Sequence, residues 1–570
     1  MKRFLLVLLS LSFCLYYPAC AQFKNQFPTA INLDAKITAL MQEADIPGLS
    51  IALIKNGKLS YAKGYGLSNT ATKNPIINNT VFEAASLGKP LFGYLVLKLV
   101  DKGILELDTP LSHYVKEGFN NEKQNLADRL TVRIILSHTT GLPNAKSGNE
   151  ALGFAFNPGE KFSYSGEGIM LLQEIIEHTT KTNLEQLMIQ YVFAPLQMEH
   201  SSFIWQPSYD SLKAFSHNEL LEVAGRGKPL RANAANSLHT TPTDYAKFLL
   251  AVLNRKGLKK KTYKEMVKSQ IAIDSTCVSC LNPAKATRLS GSLAWGLGWG
   301  VEKGKTGNWI WHWGDNVNYK GFAIGNLKSK KAMVYFSNSI NGLSIAEELV
   351  KITLANSTSS IKWLGYEPYN TPVKQQLKEI VNTKEKAIEK LKSGNKQDEL
   401  TLNQFNWIGQ QLLNRRMIEE AIEIFSISLV KDTTSLPAQL GIGEAYLKNK
   451  KKILALNHFK KALALSPGNN KLAKKIKLLE KPEITIDAKV AESYIGKYKS
   501  LIGVLTITKE EGTLFVQLEG NPKEELLPDT KDLFISADAG VQLQFSKQKE
   551  GITQIEITAG TQKFIASKLE

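Results

Sequence analysis

The sequence predicts a mixed α/β domain, an antiparallel sheet with an inserted helical region, followed by an α-helical segment and a small all-β barrel. Three observations predict it. Apolar runs of strand length stand at both ends of about the first 360 residues, with helix-length patterns between them. A lysine-rich helical tract with a 34-residue recurrence follows. From Ile484 onward, apolar and polar residues alternate strictly. A chain of 570 residues is also too long for one hydrophobic core. We therefore divide it into a leader over 1–21, the α/β domain over 22–365, the helical segment over 366–481 and the barrel over 482–570.

The leader is read from Lys2-Arg3, the apolar stretch Phe4 to Tyr17, and Pro18-Ala19-Cys20-Ala21-Gln22. A short positive segment, a short apolar segment and a small-x-small site form a secretory signal, with cleavage expected after Ala21. Ala19-Cys20 also resembles the end of a lipoprotein signal, so lipid anchoring at Cys20 is the alternative. Either places the protein in the periplasm or outside the cell. No internal apolar run approaches the roughly 18–20 residues that span a bilayer, so the mature chain is expected to have no transmembrane span. Cys14 and Cys20 fall in the leader; Cys277 and Cys280 are then read as a small surface disulfide. One cysteine pair makes no tetrahedral set, and no metal or cofactor is expected.

In the α/β domain, Leu49 to Ile54 and Leu59 to Gly64 are strands flanking Asn56-Gly57, whose residues tolerate positive φ in a tight hairpin. Pro90 to Val100 is helical in length and Gly103 stops it. Thr241-Pro242-Thr243-Asp244 opens another helix with a capping hydroxyl and a proline in the first turn. Trp309 to His312, Gly321 to Gly325 and Ala332 to Phe336 are successive strands. Beyond residue 370, Gly409, Ala421 and Phe425 recur as Gly443, Ala455 and Phe459, and the second copy adds Tyr446, Ala462 and Pro467. The pattern resembles tetratricopeptide repeats, closed by a helix near Lys471 to Leu479. Such repeats imply either a groove for a protein partner or a spacer. In the last segment Val504 to Thr508, Leu514 to Leu518, Val541 to Phe545 and Ile555 to Thr558 read as strands of a barrel without catalytic residues.

The formal net charge is +18. Runs such as Lys259-Lys260-Lys261 attract anionic surfaces, but no nucleic-acid-binding motif accompanies them and a solvated basic face is expected.

The chemistry concentrates at Ser86-Leu87-Gly88-Lys89. A serine hydroxyl needs a neighbouring base to become a nucleophile. The spacing puts Ser86 and Lys89 on one face of a starting helix, and a desolvated amine can take the hydroxyl proton. The helix N-terminus adds N–H groups for a developing oxyanion. Alone, S-x-x-K is common, and a serine before a helix is usually a cap. The stretch Val81-Phe82-Glu83-Ala84-Ala85-Ser86-Leu87-Gly88-Lys89 resembles the nucleophile segment of the penicillin-recognising serine hydrolases, in particular their class C β-lactamase branch.

That resemblance extends over roughly residues 30–345 and implies the β-lactamase/D,D-peptidase fold. Asn157-Pro158-Gly159-Glu160-Lys161-Phe162-Ser163-Tyr164-Ser165-Gly166 resembles the family's second segment. It implies that Tyr164 shares proton transfer with Lys89, and a nearby cation would lower the phenol's pKa. The family's asparagine is replaced by Gly166, which removes an amide that orients the lysine and contacts substrate; Glu167 is then either a surface residue or a substitute polar contact. The third segment has two candidates. Lys305-Thr306-Gly307 copies the family triplet within a glycine-rich tract that reads as a hairpin tip. His312-Trp313-Gly314 resembles the His-x-Gly variant of esterases and peptidases and is preferred: Gly314 lets substrate approach the strand, and the backbone near Asp315 joins the Ser86 N–H as oxyanion donor. Thr131 to Leu142 resembles a further family hallmark in which His138 is structural. No G-x-S-x-G elbow occurs.

The expected activity is thus acyl transfer to Ser86 from a small-molecule or peptide substrate (an ester, a D-amino-acid peptide or an amide), followed by hydrolysis. Gly166 weakens a class C β-lactamase reading. A third possibility is an envelope scaffold that binds proteins through its repeats.

Overall fold

The structure, a computed structural model, describes residues 30–115, 121–146, 152–225, 228–273, 278–279, 291–393, 400–480, 486–500, 503–510, 512–518, 523–536, 541–547, 553–559 and 562–569. The leader and the Cys277/Cys280 pair lie outside them.

The first part of the chain is built on a nine-stranded antiparallel sheet among these residues. Strands β1 (Gly48–Lys55) and β2 (Lys58–Asn69) form the expected hairpin, with φ of 51° at Asn56 and 71° at Gly57. β3 (Asn74–Pro75) pairs at the outer edge of β2. Two short strands, β4 (Phe82–Ala85) and β5 (Leu238–Thr240), pair with each other outside the main sheet. The rest of the main sheet comes late in the chain: β6 (Ile271–Ala272), β7 (Leu293–Trp295), β8 (Gly300–Gly304), β9 (Gly307–Asn316), β10 (Tyr319–Asn326) and β11 (Lys331–Ser337). The strand order is β3-β2-β1-β11-β10-β9-β8-β7-β6. The first hairpin thus joins the last strand, Ile51 opposite Tyr335, and the helical region is an insertion between them.

Both faces of the sheet are covered, which is why β1 reads as a near-continuous apolar run rather than an alternating one. Leu49, Ile51 and Leu53 pack with α1 (Ala30–Glu43) and α5 (Ala346–Leu354). Ala52 and Ile54 face the other way, into a core shared with α2 (Gly88–Asp101), α3 (Gly166–Thr180) and α4 (Pro242–Leu253). The α4 start is as predicted: Thr241 caps it by accepting the Asp244 N–H at 3.1 Å. α2 begins at Gly88, two residues before the expected Pro90, and ends before Gly103 at φ 73°.

The helical segment contains two pairs at the predicted repeat, Leu402–Asn414 with Ile418–Lys431 and Leu436–Lys448 with Lys452–Leu465, then Asn470–Glu480. The recurring glycines have a steric reason. A Cβ on Gly409 would lie 2.7 Å from the Phe425 ring, and one on Gly443 2.5 Å from the Phe459 ring.

The C-terminal strands close into an eight-stranded barrel over Gly496 to Lys568. Leu505 and Ile507, Leu514 and Val516, Leu543 and Phe545, and Ile555 and Ile557 point inward and fill it, as the period-2 pattern requires. Four further strands, Gly496–Ser500, Glu524–Pro528, Leu533–Ser536 and Gln562–Lys568, complete the barrel, and the four-residue Leu533–Ser536 is too short to show alternation. Among the described residues no helix is long and apolar enough to cross a membrane.

Candidate active site

β4 leads straight into the Ser86 turn. Ala85 has φ 50°, a backbone conformation that costs a non-glycine residue energy and clusters at functional sites. Ser86 is not a helix cap: α2 starts at Gly88 and no side-chain cap bond is made. Instead Lys89 Nζ donates to Ser86 Oγ at 2.9 Å and to the Ala235 carbonyl at 2.7 Å. Lys89 is 2% exposed, while Ser86 is half-buried and reachable. Burial lowers the Lys89 pKa to about 7, so a large fraction of the amine is neutral at ordinary pH.

Tyr164 reaches the same point from the turn before α3, its ring 4.9 Å from Lys89 Nζ. From the motif alone, a nearby cation would pull the Tyr164 pKa down. The structure reverses that expectation: burial pushes the phenol up, with the nearby Ser86 hydroxyl only partly opposing it. Loss of water around the buried ring dominates, and the partly neutral Lys89 does not reverse it. The phenol is therefore protonated at rest, and Lys89 Nζ is the partly neutral amine beside Ser86 Oγ.

β9 supplies the opposite wall. Its pairing with β8 stops at Trp311 opposite Gly300, whereas its pairing with β10 continues to Asn316 opposite Tyr319. Residues 312–316 thus lie past the end of β8. A Cβ on Gly314 would lie 2.2 Å from the Ala84 carbonyl, so only glycine allows β9 to lie against β4. His312 Nδ1 contacts the Trp313 carbonyl at 2.8 Å, which requires the proton on Nδ1 and leaves Nε2 as an acceptor, 3.5 Å from the Tyr164 hydroxyl. Burial, reinforced by Lys89, lowers the His312 pKa to about 3. Trp313 is buried with its ring 4.7 Å from that of Tyr164. The Asp315 carboxylate is occupied by Lys320, by the Tyr366 hydroxyl at 2.5 Å and by the Val317 N–H at 3.0 Å, leaving its backbone as the part offered to the site. Lys305 and Thr306 are exposed at the β8–β9 hairpin tip.

Gly166 has a steric explanation as well. A side chain there would begin 2.4 Å from the Asn144 carbonyl, which accepts the Gly166 N–H at 3.2 Å. The same loop is clipped by Ser165 Oγ to the Pro143 carbonyl at 2.9 Å and by the Lys146 N–H to Glu167 at 2.8 Å. Gly166 thus offers backbone only, and Glu167 holds a loop.

One contributor has no signal in the sequence. Ala235 acts through a carbonyl, which leaves no side-chain signature. His138, at φ 54°, lies with its ring 4.3 Å from that of Tyr164 and accepts the Ser165 N–H at 3.1 Å, directly behind Tyr164. Among the described residues no three His, Cys, Asp or Glu side chains are grouped to hold a metal ion.

A family model described as Beta-lactamase matches residues 33–350. Protein flp of Staphylococcus aureus (strain MW2) is 29% identical over 233 residues, 37% of this chain and 45% of that protein. A beta-lactamase of Pseudomonas fluorescens is 29% identical over 213 residues, 35% of this chain and 56% of that one. The chain spans about half the length of these curated relatives. The octameric penicillin-binding protein homologue from Pyrococcus abyssi aligns at a TM-score of 0.47 and 16% identity, covering 95% of this chain and all of that one. With a family match spanning more than half of its length, from α1 to α5, the protein belongs to the β-lactamase family, whose activity is of the serine-hydrolase kind.

Proposed function

We propose that this protein is an exported serine hydrolase that acylates Ser86 from an ester, a D-amino-acid peptide or another amide and then releases the acid to water. The Lys89–Ser86 contact at 2.9 Å carries the reading. Neutral Lys89 takes the hydroxyl proton as Oγ bonds to the carbonyl carbon. The Ser86 and Asp315 backbone N–H groups receive the oxyanion, and Gly314 permits the approach that puts them side by side. Protonated Tyr164 gives its proton to the departing alkoxide or amine as the scissile bond breaks, and recovers one from the Lys89 ammonium. Water then attacks the acyl-enzyme, its proton passing to the same pair while Ser86 regains its own. No metal is required. Gly166 supports substrates that need no amide contact at that position.

Purified protein is expected to take up a fluorophosphonate on the Ser86 peptide, read by mass spectrometry, and Ser86→Ala to take up none. A folded wild-type protein inert to fluorophosphonates and penicillin alike would overturn the mechanism and favour the scaffold reading. Efficient hydrolysis of a chromogenic cephalosporin would move the assignment to a class C β-lactamase.

A further inference from the structure

Gln173 lies on α3 and is 8% exposed. Its amide is used at both ends on one backbone segment: Nε2 donates to the Ala232 carbonyl at 2.9 Å, and Oε1 accepts the Ala234 N–H at 2.8 Å. Nε2 also lies 3.3 Å from Glu177 Oε1. The next residue is Ala235, whose carbonyl receives Lys89 Nζ at 2.7 Å and Ser86 Oγ at 3.4 Å. The segment is folded on itself by Asn233, whose Oδ1 accepts the Ala235 N–H at 2.8 Å and whose N–H reaches Ser237 Oγ at 2.8 Å. Its far end is tied by Ser237 Oγ to the Phe203 carbonyl at 2.7 Å and by Asn316 Nδ2 to the Asn236 carbonyl at 3.2 Å. On the α3 side, Gln173 is the side chain that grips the backbone on both sides of Asn233. A cavity of about 580 Å³ lies along this stretch, lined by Met170, Gln173, Glu177, Ala232 and Asn233 among others, so the segment has room to retreat.

We infer that Gln173 is a positioning residue that, through Ala232 and Ala234, holds the Ala235 carbonyl on the Lys89 amine. The inference rests on Lys89 being the base proposed above. A carbonyl aimed at Nζ favours the ammonium over the amine and orients the amine lone pair. Withdrawing it lowers the pH at which Lys89 titrates and misplaces the base. The other titratable groups facing Lys89 are Tyr164, ahead of α3, His138 on the turn after residue 137, and His312 on β9. Both histidines are driven toward the neutral form by burial and the phenol stays protonated, so a titration near pH 7 belongs to Lys89.

The test uses full-length Gln173→Met, which keeps side-chain volume and helix propensity. Gln173→Asn, with an amide one methylene too short to bridge both backbone groups, serves if the first does not fold. Lys89 is titrated by NMR in protein carrying 13Cε-lysine, and the fluorophosphonate labelling rate is measured across pH. The Lys89 midpoint is expected about half a pH unit lower in the variant, and the plateau rate roughly ten- to a hundredfold lower, at a melting temperature that keeps the protein folded. A folded variant with the wild-type Lys89 midpoint overturns the inference whatever its rate. A wild-type protein inert to the probe overturns the proposed chemistry instead, while the lysine titration still decides the Gln173 contact.

Discussion

Replacing Gly166 by alanine or asparagine tests whether the missing family amide is a vacancy or an exclusion. The new Cβ would sit 2.4 Å from the Asn144 carbonyl, with Asn144 Oδ1 at 3.2 Å. Ordinary contact begins near 3.4 Å, so the 143–146 loop must move by roughly 1 Å, and overpacking of this kind costs about 1–3 kcal/mol. Movement also breaks the Gly166 N–H bond to Asn144, about 1 kcal/mol more. Removing glycine's backbone freedom returns at most about 1 kcal/mol. The net loss is about 1–3 kcal/mol, a melting temperature roughly 3–10 °C lower. Because the clash is at Cβ, Gly166→Ala should carry most of the loss and Gly166→Asn little beyond it. Thermal melts and cephalosporin turnover are measured on wild type and both variants. An alanine variant that melts like wild type would refute the steric argument, as would an asparagine variant that gains cephalosporin hydrolysis at unchanged stability.

Labelling of Ser86 should rise with pH through about 7, the Lys89 midpoint; a rate flat from pH 5 to 9 would remove Lys89 as the base. The folded pKa of Lys89 lies below its unfolded value, so its burial penalty is fully present below pH 7 and relieved between pH 7 and 10.5. Lys89→Met is therefore expected to be inactive yet more stable than wild type at pH 6 in denaturant titrations, with the gain shrinking toward pH 10. Asp34 is held at about 2 by Lys63, Tyr61 and Tyr65. Its contribution is present above pH 3.8 and lost as pH falls through 2, so Asp34→Asn should cost about 1 kcal/mol at neutral pH and converge with wild type in acid. Gly443→Val places a branched side chain against Phe459 and should destabilise the repeats by about 1–3 kcal/mol in melts followed by circular dichroism, with Ser86 labelling unchanged.

Much of the site was legible because side-chain chemistry at short spacing is written in the chain. Ser86 and Lys89 lie three residues apart, and the local turn alone brings them within 2.9 Å. The hairpin at Asn56-Gly57 and the capped start at Thr241 follow from local conformational preference. His312-Trp313-Gly314 and Lys305-Thr306-Gly307 compete for the third segment, and the second matches the family literally. Lys305 and Thr306 are exposed at a hairpin tip, whereas the Ala84 carbonyl fills the space that a side chain at Gly314 would need. The Tyr164 prediction failed on the sign of its pKa shift, because neighbours can be guessed from motifs whereas desolvation depends on every group packed around the ring.

By itself, then, the sequence determined the strand and helix periodicities, the 34-residue repeat and the Ser86/Lys89 pair proposed as nucleophile and base, all of which depend on residue type within a few turns of chain. Only the tertiary structure decided that the Ala235 carbonyl, 146 residues from Lys89, receives its amine. It alone decided that Gln173 grips the segment carrying that carbonyl, and that Asn144 occupies the space a residue at 166 would need. The physical reason is common to all three: one partner in each is a backbone group, which every residue carries alike, so no side-chain pattern announces where they meet.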